Sequence, residues 1–256
     1  MENIINVQMR TSMRFLKHYL FILIGVGLFG LCSCENGCLK GQGKTTEQKR
    51  ALDPFTGIKV YGWTDVILER GSVPEATVVV GKNLVNNVAL EVEDDSGFLV
   101  IRNNNRCHWS RAGGQPVVKV KYQTIDQIEQ WGFGNITSLD TLSGASLNVR
   151  VSGNGDVNLL VDVDNFSCLM LELGDLTVAG RGERSNLFSH NVGFFKGRNF
   201  VTSHCTARTR DEGEFEVHVS DSLFATVEST GNIKYFGTPA FVQANITGLG
   251  QVVAGN

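Results

Sequence analysis

The sequence contains little proline and has a small net charge. Only 4 of its 256 residues are proline, which excludes a collagen-like repeat and a proline-rich linker protein. The 23 lysines and arginines nearly balance 26 aspartates and glutamates, so the formal net charge is −3. A dedicated nucleic-acid binder normally carries a basic patch and a high pI, and we therefore expect no nucleic-acid partner.

Catalytic and metal-binding motifs are also missing. The six cysteines form no CxxC pair, and no cysteine–histidine set has the spacing of a zinc site. The five histidines are scattered, so no Ser–His–Asp or Cys–His arrangement can be argued from them. The sequence thus predicts no cofactor and no catalytic residues, and a carbohydrate-active enzyme is the alternative.

Glycine and apolar residues are abundant. The chain has 29 glycines, and 42% of its residues are hydrophobic, which is enough for a substantial core. A glycine-rich, proline-poor and apolar composition is typical of short strands joined by tight turns. An all-β fold is the expectation.

The N-terminal segment has the features of an export signal. An apolar run, Tyr19–Leu31, follows several basic residues and is too short for a comfortable membrane-spanning helix. Leu31-Cys32-Ser33-Cys34 resembles the bacterial lipobox, which implies cleavage before Cys34 and lipid on its sulfur. Residues 1–33 are then a lipoprotein signal peptide, although ordinary secretion with incidental cysteines is the alternative. A lipid at Cys34 would anchor the protein to the cell envelope, with the outer membrane favoured and its face left open.

The polar residues after the lipobox predict a flexible tether over 34–52. The rest of the chain, 53–256, is predicted to form one domain.

An internal repeat occupies residues 131–256. Seven segments share a glycine, usually a polar residue, and then an apolar residue, with glycines 18 to 21 residues apart. The glycines are Gly134, Gly155, Gly174, Gly193, Gly213, Gly231 and Gly250. Each glycine is expected to provide a turn residue that is free to take a positive φ.

A period of about 19 residues with two short strands and a turn is typical of a solenoid. The spacing lacks the strict six-residue periodicity of a left-handed hexapeptide helix. We therefore predict a parallel β-helix or related β-solenoid, favour the right-handed form, and retain a β-sandwich as the competing fold.

Residues 53–130 are β-rich but less regular, and are interpreted as degenerate coils or a capping sheet. The predicted strands are Ile58–Tyr61, Asp65–Glu69, Thr77–Val80, Ala89–Glu93, Leu99–Arg102 and Val117–Tyr122. One long polar insertion, Asn103–Pro116, interrupts them.

Several motifs, taken in order, resemble the head GIN-domain family of exported Bacteroidetes proteins, regarded as auto-transporter adhesins. The opening resembles the family at Phe55–Val60, Asp65–Leu68 and Phe98–Ile101, and the repeat resembles it at Ser152–Val157 and Ser229–Pro239. The resemblance implies a β-helix-like fold, no known catalytic residues and a role in adhesion.

Two aspartates occupy equivalent repeat positions and are a candidate calcium site. Asp156 and Asp175 would lie about 4.8 Å apart in a parallel stack, and Ca²⁺ prefers carboxylate oxygens. Asn135, Asn232 and Gln251 hold the same position, so hydrogen bonding within the turns is the alternative and the favoured interpretation.

Trp109 and Arg111 in the polar insertion are candidate ligand-binding residues. An exposed aromatic side chain beside an arginine suits contacts with sugars or proteins. The alternative is that Trp109 folds back onto the domain. The sequence thus predicts an exported lipoprotein whose rigid solenoid binds a glycan or protein on a cell surface; an envelope structural or sensing role is a further alternative.

Overall fold

The computed structural model describes residues 41–105, 115–190 and 192–255, almost all of them in strands and turns. A 3-10 turn spans Val85–Asn87. The strands are β1 (Thr45–Ala51), β2 (Gly57–Tyr61), β3 (Asp65–Arg70), β4 (Glu75–Gly81), β5 (Val88–Glu93), β6 (Phe98–Asn103), β7 (Val117–Tyr122), β8 (Gln127–Gln130), β9 (Ile136–Ser138), β10 (Leu142–Val151), β11 (Val157–Met170), β12 (Leu176–Ser189), β13 (Phe195–Thr209), β14 (Phe215–Val227), β15 (Ile233–Phe236), β16 (Phe241–Ile246) and β17 (Val252–Ala254).

These strands wind into an all-β solenoid of about seven turns that recur roughly every 19 residues, as predicted. Successive coils pair in parallel: β10 with β11, β11 with β12, β12 with β13, and β13 with β14. At the end of this stack, β14 pairs with β15 through its first residues and with β16 through its last. The handedness of the winding stays a prediction.

The first coils do not follow the order of the chain. Strand β2 pairs in parallel with both β6 and β8, and β3 pairs in parallel with both β7 and β9. The β2–β3 coil therefore lies between the β6–β7 coil, which is later in sequence, and the β8–β9 coil. Strands β6 and β7, which flank the polar insertion in the sequence, form the outermost coil at this end.

Antiparallel strands cover that outermost coil. Strand β4 pairs with β7, β1 pairs with β4, and β5 pairs with β6. The Arg50 guanidinium holds this cap together by donating to the carbonyls of Val85 and Val88 at 2.7 and 2.5 Å. The irregular part thus contains both degenerate coils and a capping sheet.

The predicted tether over residues 34–52 is wrong for its last part. Residues 45–51 form β1 in register with β4, from Thr45 opposite Gly81 to Ala51 opposite Glu75. A polar segment can form a stable edge strand, because backbone hydrogen bonds and one partly buried side-chain row are sufficient. Composition alone gave no sign of this pairing.

The core consists of columns of side chains that point into the solenoid. Alternate residues of each strand are buried, and equivalent residues of successive coils stack on one another. Buried phenylalanines contact one another in the later coils: the ring centroids of Phe166 and Phe200 are 5.1 Å apart, and those of Phe195 and Phe215 are 5.7 Å apart. Burying each large side chain stabilises the fold by roughly 2–3 kcal/mol. A single isolated coil could not bury these side chains, because it has no neighbouring coil to cover them.

The repeat glycines are needed for a different reason from the one predicted. None of the seven has a positive φ; that conformation belongs to other glycines such as Gly62 and Gly180. A Cβ atom on Gly134 would lie 1.9 Å from the Thr64 carbonyl oxygen, and one on Gly155 would lie 2.0 Å from the Gly134 oxygen. The glycines allow successive turns to approach one another closely, which keeps the coils in register.

Candidate functional site

Two stacked aromatic pairs lie side by side where the irregular coils meet the regular ones. Tyr61 stacks on Trp131, with ring centroids 6.2 Å apart and planes 19° apart. Trp63 stacks on Phe133, with centroids 4.8 Å apart and planes 16° apart. Tyr61 is the last residue of β2, and the other three residues lie in the turns after β2 and β8. Together we call these four side chains the aromatic patch.

Charged side chains border the aromatic patch. The Arg102 guanidinium lies 5.0 Å from the centre of the Tyr61 ring, and that of Arg150 lies 4.6 Å from the centre of the Trp131 ring. Glu129 accepts a hydrogen bond from Trp131 Nε1 at 2.7 Å. The register explains this order, because Arg102 lies opposite Tyr61 and Arg150 lies opposite Glu129.

The close approach of the two turns produces the stacking. Gly62 has φ +77°, and a Cβ on Gly132 would lie 2.1 Å from the Gly62 carbonyl oxygen. The amide of Phe133 donates to that same oxygen at 2.9 Å. Glycine at these two positions brings the flanking aromatic residues into register one coil apart.

The patch remains accessible because the next coil has small side chains at the equivalent turn positions. Ser152 occupies the position of Trp131 in the next coil, and Asn154 occupies the position of Phe133. Trp63 is 43% exposed, Trp131 37% and Phe133 48%. An exposed apolar surface bordered by polar groups is typical of a binding site, since aromatic side chains otherwise bury most of their area.

A shallow groove adjoins the patch. It has a volume of about 360 Å³ and is lined by Glu129, Arg150, Asn148, Asn186 and Gln127, among others. This volume falls within the usual range for small-molecule sites. Aromatic rings beside carboxylate, guanidinium and amide groups can contact both the C–H face and the hydroxyl groups of a sugar.

The calcium candidates have another role, which is to connect the turns. Asp156 Oδ1 accepts the Asp175 amide at 3.0 Å, and Asp175 Oδ1 accepts the Phe194 amide at 2.9 Å. The same contact joins Asp65 to Asn135 and Asn135 to Asp156. Each side chain thus hydrogen-bonds the next turn, which explains why aspartate and asparagine share this position.

Lysine already supplies the positive charge beside Asp175. Lys196 Nζ lies 2.6 Å from Asp175 Oδ2, and this hydrogen bond raises the pKa of Lys196. No cluster of three or more His, Cys, Asp or Glu side chains suited to a metal ion occurs among residues 41–105, 115–190 and 192–255. The geometry accounts for both aspartates as turn acceptors.

The other predicted site residues lie outside the described residues. Trp109 and Arg111 belong to 106–114, and Cys34 belongs to 1–40. Both flanks of the insertion contact the turn that carries Trp63: Asn103 Nδ2 donates to the Trp63 carbonyl at 2.7 Å, and Gln115 Nε2 donates to Asp65 at 2.5 Å.

Sequence reasoning missed the aromatic patch. Trp63 and Phe133 occupy the same position of two turns, but 70 residues separate them because β4 to β7 intervene. Alignment of Val60–Asp65 with Gln130–Asn135 could have revealed the pair, since each segment contains a glycine flanked by aromatic residues.

The described residues define the protein as a β-solenoid with an exposed aromatic patch on two neighbouring turns. Residues 54–239 match the family described as "Putative auto-transporter adhesin, head GIN domain". The chain belongs to this head GIN domain family. No curated protein matches it.

Solved structures share the fold. A putative adhesin from Bacteroides fragilis has 18% identity and a TM-score of 0.76, covering 82% of this chain and 97% of its own. One from Parabacteroides distasonis has 24% identity and a TM-score of 0.68, covering 84% of this chain and 98% of its own. A structure described as a putative lipid binding protein, from the same species, has 19% identity and a TM-score of 0.65, with coverage of 84% and 98%.

Proposed function

We propose that this protein is a lipid-anchored adhesin of the cell envelope that binds carbohydrate through the aromatic patch and its neighbouring groove. The single observation that carries the proposal is the exposure of Trp63, Trp131 and Phe133 beside Arg150 and Glu129. Membership of an adhesin family supports a binding role.

Carbohydrate suits this surface better than a protein does. A stable protein interface needs roughly 800 Å² from each partner, whereas this patch consists of two turns and one narrow groove. Sugar rings have apolar C–H faces that favour the electron-rich faces of aromatic rings. Their hydroxyl groups can donate to Glu129 and accept from Arg150.

Attachment to the envelope would occur through Cys34. The lipobox-like sequence supports cleavage before this residue and lipid on its sulfur. In the part of the chain that the structure describes, no helix is long and apolar enough to cross a membrane. A lipid anchor would place the solenoid beside the membrane, with the outer membrane as the proposed location.

The proposed activity is binding without catalysis. The repeated carboxylates that an enzyme would need are instead acceptors for turn amides, and Asp175 is also paired with Lys196. The family description points the same way.

Glycan-array binding by the purified full chain tests the proposal. We expect Trp131→Ala and Phe133→Ala each to reduce binding at least tenfold, with little change in melting temperature. Leu173→Ala is the matched control, because Leu173 is 56% exposed at the same turn position two coils after Phe133. Equal binding by all variants, or no retained glycan, would contradict the proposal.

The anchor needs its own test. Protease added to intact cells should cleave the wild-type domain if it faces outward, and a Cys34→Ala variant should no longer fractionate with membranes. Protection until the envelope is broken would instead favour a periplasmic structural or sensing role. An unchanged membrane fraction for Cys34→Ala would contradict lipid anchoring.

A further inference from the structure

The last described coil leaves its inward-facing side chains uncovered. In β14, Leu223 and Val227 point into the core and are fully buried. Their partners in β16, Val242 and Ile246, occupy the same columns yet are 38% and 46% exposed. A core column thus reaches the surface at this end of the solenoid.

The exposed strands there have no charged side chains. Lys234 is the last charged residue of the sequence, so β16, β17 and the turn between them are uncharged. Edge strands that must avoid pairing usually carry lysine, an inward-facing charge or proline. The strand Phe241–Ile246 has none of these devices, and its apolar side chains favour strand formation.

The opposite end of the solenoid is protected from pairing with another chain by covering strands and by charged side chains. Strands β1, β4 and β5 cover it, and charged residues occur on the outermost strands, among them Glu47, Lys49 and Glu91. A second copy therefore cannot stack its capped end onto the open coil in the manner of another repeat. The partner that remains is a second open end.

We propose that two copies of this chain associate through their last coils, with β16 pairing antiparallel to β16 and β17 antiparallel to β17 about a two-fold axis. Such a contact is self-complementary, as closed two-fold dimers require. The inferred dimer is independent of the proposed carbohydrate site, which lies in the first coils.

The two-fold axis preserves the inner and outer faces of the sheet. With Ala244 on the axis, Val242 of one copy lies opposite Ile246 of the other, and both point into the core. Gln243 then lies opposite Asn245 on the outer face. The pairing continues the apolar columns across the contact and uses the free backbone groups of both edges.

The contact is large enough for a dimer. A coil of nineteen residues has a perimeter of roughly 60 Å and a width of about 10 Å, so each copy would bury roughly 600 Å². The total of about 1,200 Å² is at the lower limit of a standard stable interface. Apolar columns at its centre favour association over exposure to water.

Sedimentation equilibrium of the full chain in a density-matched mild detergent tests the proposal. We expect two chains for the wild type near 10 µM. Gln243→Lys/Asn245→Lys should sediment as a single chain, with at least a tenfold weaker association, because like charges would face one another across the paired strands. Both positions are exposed, so the circular dichroism spectrum of the folded chain should not change.

Thr45→Lys/Ser72→Lys is the matched control, since it adds the same charge at exposed positions of the capped end and should remain dimeric. A single-chain wild type would overturn the proposal and leave the open coil to a different partner. Two chains for all three proteins would also overturn it, because the association would then use another surface or the lipid.

Discussion

The two ends of the solenoid solve the same problem differently. At the first end, β1, β4 and β5 turn antiparallel and cover the outermost coil, and Arg50 ties the cap to the backbone of Val85 and Val88. At the other end, β16 and β17 continue the parallel ladder and stop without a cover among the described residues. Repetition alone cannot terminate a solenoid, because each coil exposes what the next one would bury.

The first coils and the later coils also differ in where their aromatic residues lie. The turns after β2 and β8 carry stacked aromatic residues on the outside, whereas the later coils contain a buried column of Phe166, Phe195 and Phe215 in addition to the exposed Phe194 and Phe224. Aromatic residues inside stabilise the fold, and aromatic residues outside are available to a ligand. Four experiments test this distinction, beginning with the largest expected effect.

The largest effect is expected in the buried phenylalanine column. Phe195→Ala should lower the free energy of unfolding by about 3–5 kcal/mol, because it removes a fully buried ring and leaves a cavity. Phe133→Ala at the outer turn should cost only about 1 kcal/mol, the value of its stacking on Trp63. Chemical denaturation monitored by circular dichroism measures both, and equal losses would remove the distinction between the two kinds of coil.

A smaller but still large effect is expected at the repeat glycines. Gly155→Ala should cost about 3 kcal/mol, because its methyl group would overlap the Gly134 carbonyl and force the turns apart. Gly144→Ala is the control, since a Cβ there meets no atom within 4 Å. Thermal unfolding compares them, and similar melting temperatures for the two variants would show that the turns tolerate separation.

The hydrogen bonds between turns should contribute less. Asp156→Ala should cost about 1 kcal/mol, because it leaves the Asp175 amide without its acceptor. Asp156→Asn keeps an acceptor oxygen at that position, as Asn135 provides one in the preceding turn. This variant should therefore lose little stability. Added Ca²⁺ should leave the wild-type melting temperature unchanged, and a calcium-dependent rise that both substitutions abolish would favour the calcium site over turn hydrogen bonding alone.

The buried cysteines of the regular coils should show no reactivity in the folded state. Burial raises the pKa of Cys168 and of Cys205 to about 12, so both thiols stay protonated at pH 8. Mass spectrometry after thiol labelling should therefore detect two more modified cysteines in denaturant than in buffer. That difference should vanish in Cys168→Ala/Cys205→Ala, and full labelling in buffer would mean that these coils open readily.

Regular repetition is what sequence reasoning handles well. The alternation after each repeat glycine identified the interior column, and Ile136, Val157, Leu176, Phe195, Phe215 and Ile233 are all fully buried. The six strands predicted before the repeat also occur, as β2 to β7, with boundaries that differ by at most two residues. These predictions succeed because alternation along a strand reflects local geometry and burial alone.

Non-local arrangement is what the sequence concealed. Tyr61 and Trp131 stack because the β2–β3 coil lies beside the β8–β9 coil, although two capping strands and another coil separate them along the chain. The role of the repeat glycines was misjudged for the same reason, since the carbonyl that excludes a side chain belongs to a neighbouring coil. Neither contact leaves a mark in local composition.

The coil, its period and its interior could be predicted from the sequence, because each depends on residues a few positions apart. The tertiary structure decided the order of the first coils, the folding of Thr45–Ala51 into the cap, and the meeting of aromatic residues on one surface. It also decided that Val242 and Ile246 end as exposed members of a buried column. Pairing between distant strands depends on the competition of whole edges for partners, and that competition is resolved only when the chain is folded.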